Sequence, residues 1–170
     1  MFDGFLRVAA ATPDIRVADC NFNGASAAAL VSEAYEQGVS LLVLPELCLT
    51  GYTCSDLFLQ ESLLDGAGKA LLTLTEATRG KNMVVLAGLP LTVNGVLYNV
   101  AAVLHDGDIL GFVPKSYLPT YSEFYERRHY HSGADIETDV LFNGRTYPFG
   151  TRLLFRCRQM PAFTLGIEIC

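Results

Sequence analysis

Apolar residues in this chain come in short blocks whose period switches between two values. Residues 5–11 (Phe-Leu-Arg-Val-Ala-Ala-Ala) predict a first strand closed by Thr12-Pro13. Beyond it, Ala27, Leu30, Val31 and Ala34 recur at helical spacing, with Asn23 and Ser26 as candidate caps and Gly38 as the stop. Residues 40–44 (Ser-Leu-Leu-Val-Leu) form an unbroken apolar run of the kind covered on both faces of a sheet, ended by Pro45. A second helix carries Leu63, Leu64, Ala67, Leu71 and Leu74 on one face and stops by Gly80; residues 83–87 then predict another buried strand.

After that point the punctuation changes. Asn94-Gly95 and Asp106-Gly107 are two-residue hairpin turns, because both dipeptides accept the positive φ angles that such turns need. They set off strands at 97–104 and 109–113, and Asn143-Gly144 marks a third hairpin. Residues 153–155 and 163–167 predict the final strands. Helices between strands, followed by hairpins, imply an α/β fold with a mixed sheet. No linker or repeat divides it, so residues 1–170 are expected to form one unit. The chain stops at Cys170 within an apolar segment, which suggests part of a larger domain.

Composition narrows the function classes. With 170 residues, 51% of them hydrophobic, the chain can bury a sizeable core and is not a disordered tail. Eighteen acidic against 12 basic residues, with no basic stripe, lower the expectation of a nucleic-acid or membrane-surface partner. No apolar run reaches the length of a membrane span, and a cytoplasmic location is expected. Five cysteines, at 20, 48, 54, 157 and 170, fit neither a zinc knuckle nor a disulfide framework. Four are expected to be buried thiols and one chemical.

Three residues share a position that makes them more than incidental. Glu46, Lys115 and Cys170 each lie just past the C-terminal end of an apolar strand, where ligand sites of α/β sheets gather. A carboxylate there costs free energy to desolvate unless it is partnered, and once partnered it can serve as a general base. Lys115, between Pro114 and Pro119, can face a developing oxyanion, and a thiol beside both groups completes a nucleophilic set without histidine or metal. The competing readings are a solvated strand-end glutamate, an exposed lysine and a buried thiol. His129 and His131 form an H-x-H pair without a third ligand, and the glycines form no phosphate-binding fingerprint.

The segments Pro45 to Tyr52, Val113 to Tyr121 and Gly166 to Cys170 resemble the Glu-Lys-Cys motifs of the carbon-nitrogen hydrolase (nitrilase) superfamily. In finer wording, residues 51–60, 114–121, 123–128 and 168–170 are similar to the N-terminal glutaminase domains of bacterial glutamine-dependent NAD+ synthetases. The resemblance implies an α-β-β-α sandwich with mixed sheets, of which this chain is the incomplete N-terminal part. It makes Glu46 the general base, Cys170 the nucleophile and Lys115 the oxyanion stabiliser in hydrolysis of L-glutamine. Tyr121 then contacts glutamine, Glu123 positions the lysine or the substrate, and Tyr52 lines the pocket.

By the same resemblance, ammonia passes to a synthetase domain that uses ATP and magnesium to amidate deamido-NAD. This domain needs no cofactor or metal of its own, and a homo-oligomer is expected. The family's oxyanion hole uses the backbone N–H after the nucleophile, so a chain ending at Cys170 is expected to be inactive alone; its α-carboxylate would also work against the thiolate. Alternatives are a free-standing amidase or carbamoylase for another small amide, or a noncatalytic α/β assembly module.

Overall fold

A computed structural model describes residues 4–170. The chain runs β1 (Val8–Ala10), α1 (Cys20–Glu36), β2 (Leu41–Val43), a 3₁₀ helix (Ser55–Leu59), α2 (Glu61–Ala77), β3 (Val84–Val93), β4 (Val96–His105) and β5 (Asp108–Pro114). It continues through α3 (Glu126–His129), β6 (Glu137–Phe142), β7 (Arg145–Gly150), β8 (Leu154–Arg156) and β9 (Thr164–Gly166). Seven strands make one sheet in the order β1-β2-β3-β4-β5-β7-β6, and β8 and β9 form a separate two-stranded ribbon. β1, β2 and β3 pair in parallel, whereas β3, β4 and β5 pair antiparallel through the two predicted hairpins. The sheet is therefore mixed, as the change in punctuation implied.

Helices α1 and α2 supply one continuous core with alternate residues of the central strands. Ala27, Val31, Leu71 and Leu74 are buried together with Val85, Ala87, Leu89, Val100, Ala102 and Leu104. The helices cross closely at Gly24, where an added Cβ would sit 3.0 Å from that of Ala70. The opposite face is thinner: Leu41, Leu86 and Val103 are covered by partly buried residues that include Phe155, Leu165 and Ile167. Burial on both faces explains the apolar run at 83–87 and most of that at 40–44; Val43, at the end of β2, is 39% exposed, so the expected cover on both faces stops short of it.

Several boundaries differ from the sequence reading for identifiable reasons. The cap of α1 is Asp19, whose side chain accepts from the Phe22 N–H at 3.1 Å, rather than Asn23 or Ser26. Asn23 lies within the helix, fully buried; it accepts from the Arg16 N–H and donates to the carbonyls of Arg16 and Leu49. β3 passes Gly88 and Pro90 and ends at Val93, beyond the predicted Ala87. Pro90 is tolerated because β2 pairs only with Val84 to Leu86, leaving that side of β3 without a strand ladder to interrupt. The first strand is shorter than expected, confined to Val8–Ala10. Of the cysteines, Cys20, Cys48 and Cys54 are buried but Cys157 is only partly so, which reduces the expected four to three.

Candidate active site

β2 ends at Val43, and the chain then turns sharply enough to return beneath β3. The turn requires Leu47 in the left-handed region at φ 52, a conformation costly for a bulky side chain, and Gly51 at φ 87. Leu47 is nonetheless buried, and its carbonyl accepts from the N–H groups of Thr50 and Gly51. The Leu49 N–H reaches the carbonyl of Gly88 at 3.2 Å, tying the loop to β3. Gly88 permits this approach: a Cβ there would lie 2.3 Å from the Leu47 nitrogen and 2.8 Å from the Glu46 Cα. Glu46 is thus fixed by backbone packing before its side chain makes any contact.

Lys115 follows β5 and is held equally firmly. Its N–H donates to the carbonyl of Asn99 on β4, and its carbonyl accepts from the N–H of Gly133, both at 2.8 Å. The side chain is 2% exposed and its ammonium donates to Glu46 Oε1 at 2.7 Å and to Glu126 Oε1 at 2.9 Å. Asn99, on β4 and 1% exposed, donates its amide to the same Glu46 oxygen. The Tyr52 hydroxyl donates to Glu126 Oε1 at 2.7 Å. A chain of contacts therefore runs from Asn99 through Glu46, Lys115 and Glu126 to Tyr52.

The electrostatics follow from burial and pairing. Burial works against the ammonium of Lys115, but the hydrogen bonds and charges of Glu46 and Glu126 outweigh it and hold the lysine above its ordinary value. Burial, then the Glu126 carboxylate, push Tyr52 well above the ordinary phenol range, so it remains a donor. Cys48 is pushed up to about 11 by burial, and Cys20 likewise to about 11 with Cys54 adding to the effect, so neither is a nucleophile at neutral pH. Asn99 Oδ1 and Glu126 Oε2 are buried side-chain atoms without a hydrogen-bond partner among the described residues. Buried polar atoms without partners beside a buried ion pair mark this cluster as a candidate site.

Cys170 is exposed and lines an open cleft of about 280 Å³ together with Pro45, Glu46, Gly88, Ala101 and Ile169. The structure thus brings Glu46 to Lys115 by direct contact and to Cys170 by a shared cleft. A larger cavity of about 440 Å³ lies at the other end of the strands, lined by residues such as Leu6, Met83 and Phe155, and contains none of these groups.

Two sequence-predicted residues are placed differently. The second carboxylate on Lys115 is Glu126 rather than Glu123, which is exposed in the segment between Lys115 and α3. Tyr121 is 69% exposed and packs edge-on against Phe124. Tyr52 belongs to the site as a partner of Glu126. Glu126 and Asn99 were missed. Asn99 had a signal, as the one amide inside the apolar run 97–104; Glu126 had none, because its neighbours in sequence are polar. His129 contacts Asp56, and among the described residues no group of three or more His, Cys, Asp or Glu is arranged to hold a metal.

Comparison with known proteins shows the family and the fold. Residues 7–170 match the family model described as carbon-nitrogen hydrolase. The chain is 43% identical over 167 residues to the glutamine-dependent NAD(+) synthetase of Mycobacterium tuberculosis, covering 98% of this chain but 25% of that protein. To the synthetase of the same description from Xylella fastidiosa it is 34% identical, again over 98% of the chain and 27% of the relative. The chain therefore spans about a quarter of the length of these relatives. Among solved structures, the glutamine-dependent NAD(+) synthetase of Cytophaga hutchinsonii superposes with a TM-score of 0.84 at 29% identity, over 90% of this chain and 26% of that one. A nitrilase-superfamily amidase from Nesterenkonia shares the fold, with a TM-score of 0.64 at 23% identity over 84% of this chain and 54% of that one.

Proposed function

The chain belongs to the carbon-nitrogen hydrolase family, and we propose that it is the glutaminase part of a glutamine-dependent NAD+ synthetase. The observation that carries this reading is the buried ammonium of Lys115 gripped between two carboxylates, one of which shares a cleft with Cys170. The names of the relatives that match over 98% of the chain supply the substrate.

In the proposed reaction Glu46 accepts the thiol proton of Cys170, and the thiolate attacks the side-chain amide carbon of L-glutamine. The C=O π electrons move to oxygen, and the resulting oxyanion is stabilised by the fixed charge of Lys115. Collapse breaks the C–N bond; ammonia leaves with the proton returned by Glu46, and a thioester remains. Glu46 then takes a proton from water, whose oxygen attacks the thioester carbon; the C–S bond breaks, glutamate leaves, and Glu46 returns the proton to the departing thiolate. Asn99 and Glu126 hold the two charged groups in place, which keeps reorganisation small. Tyr121 and Glu123, on the exposed segment beside the site, are assigned to glutamine binding.

The ammonia is passed to a synthetase domain that amidates deamido-NAD with ATP and magnesium. In this reading ATP and magnesium serve that synthetase domain, and the hydrolysis at Cys170 runs on Glu46 and Lys115. Five unpaired thiols suit a reducing cytoplasm, and a homo-oligomer completes the reading. The test is to compare NAD+ formation from glutamine and from free ammonia in the full-length protein and in its Cys170→Ala variant. Loss of the glutamine-supported reaction alone supports the proposal; equal rates with both nitrogen sources in wild type and variant refute it.

A further inference from the structure

Glu126 is carried by a helix that cannot hold itself in place. α3 has four residues, its N-cap residue Tyr125 makes no capping side-chain bond, and it follows an irregular stretch with several exposed aromatic residues. A single turn of helix does not repay its ordering entropy. The Glu126 N–H donates to the Pro119 carbonyl at 3.2 Å, and the rest of the turn leans on the 3₁₀ helix Ser55–Leu59, which directly follows the loop bearing Glu46 and Tyr52. Arg128 donates from Nε to Asp56 Oδ1 at 2.8 Å and from Nη2 to Asp56 Oδ2 at 2.9 Å, a planar two-bond fork. His129 Nε2 lies 3.2 Å from the same Oδ1. Beneath them the buried Phe58 ring packs edge-on to His129 at 5.7 Å and tilted against Tyr130 at 5.2 Å.

We infer that the Asp56–Arg128 pair is a positioning latch that fixes α3, and through it the Glu126 carboxylate, against Lys115. The inference rests on the proposed glutaminase reading for its kinetic arm. Both partners are more than half exposed, at 58% and 60% of the side chain, so the pair adds little to global stability. Its effect is geometric: the fork is directional, and it joins residues 72 apart in sequence across the two segments that meet at Glu126 and Tyr52. Phe58 sets the distance between these segments, while the fork sets their registry. Neither Asp56 nor Arg128 touches the reacting atoms.

The experiment compares Asp56→Asn, Arg128→Gln and the double variant in the full-length protein. For glutamine hydrolysis per active site, counted by stoichiometric alkylation of Cys170, kcat falls about tenfold in each single variant and no further in the double. KM for glutamine stays within about twofold, and the ammonia-supported reaction is unchanged. A merely structural role would lower the number of active sites but not the turnover of each. In parallel, hydrogen exchange is followed by mass spectrometry: residues 122–130 exchange faster in Asp56→Asn while β3 and β4 keep the wild-type rate. Single-variant kcat within twofold of wild type, or losses that multiply in the double, overturns the latch. Unchanged exchange at 122–130 overturns it even if wild type fails to hydrolyse glutamine, an outcome that would count against the proposed function separately.

Discussion

Gly88→Ala is the sharpest available perturbation of the site, because it adds one methyl group and removes no polar group. The Cβ of an alanine at 88 would stand 2.3 Å from the Leu47 nitrogen and 2.8 Å from both the Cα and the carbonyl carbon of Glu46, against an ordinary contact of 3.4–4 Å. These are backbone atoms, so no side chain can rotate away. Either β3 leaves its register with Ala101 or the Glu46 loop retreats by about 1 Å. The loop is the weaker partner, since β3 is paired along its length with β4. Overpacking of this kind costs about 1–3 kcal/mol of stability, and a misplacement of about 1 Å at a catalytic group costs roughly 100-fold in rate. We expect glutamine hydrolysis by Gly88→Ala to fall about 100-fold in kcat, with the ammonia-supported reaction retained. Gly95→Ala is the control: its Cβ meets nothing within 4 Å, and only its φ of 78 is unfavourable, for about 1 kcal/mol and no change in turnover. A Gly88→Ala enzyme within threefold of wild type would show that the Glu46 backbone is not held as described.

Removal of the ammonium in Lys115→Met leaves two carboxylates facing each other, at a cost of about 3–5 kcal/mol measured by urea denaturation. Lys115 is raised in the folded protein, so its stabilisation is fully present below the ordinary 10.5 and is lost as pH climbs through the higher folded value. The stability gap between wild type and Lys115→Met therefore stays constant from pH 7 to 10 and closes only in stronger alkali. Tyr52→Phe removes one donor to a buried carboxylate and lowers glutamine turnover by about tenfold, or about 1–2 kcal/mol, with little change in KM. Among the five thiols, native protein reacts with a disulfide reagent at pH 8 at Cys157 and Cys170, whereas Cys20, Cys48 and Cys54 require unfolding, because burial raises all three; reaction of all five at equal rates contradicts the packing.

Much of this arrangement was legible because it depends on local rules. The apolar runs at 40–44 and 83–87 are buried on two faces except at Val43, the Asn-Gly and Asp-Gly turns sit where β3, β4 and β5 join, and Glu46 and Lys115 follow strand ends. What escaped depended on long-range contacts. Asn23 looks like a cap in sequence, yet its amide is taken by backbone groups of Arg16 and Leu49, and Asp19 caps instead. Glu123 and Glu126 are interchangeable by composition, and only the single turn of α3 decides which carboxylate enters the interior. Pro90 misleads because the ladder on one side of β3 ends before it, a property of β2 rather than of β3.

The central claim is that Cys170 becomes acylated by glutamine beside the Glu46–Lys115 pair. The most direct measurement is peptide-mapped mass spectrometry of the full-length protein quenched in acid during turnover of glutamine. A γ-glutamyl adduct confined to the peptide containing Cys170, absent in Glu46→Gln and Lys115→Met, is the predicted result. Turnover of glutamine with no adduct on Cys170, or with the adduct on another cysteine, contradicts the account.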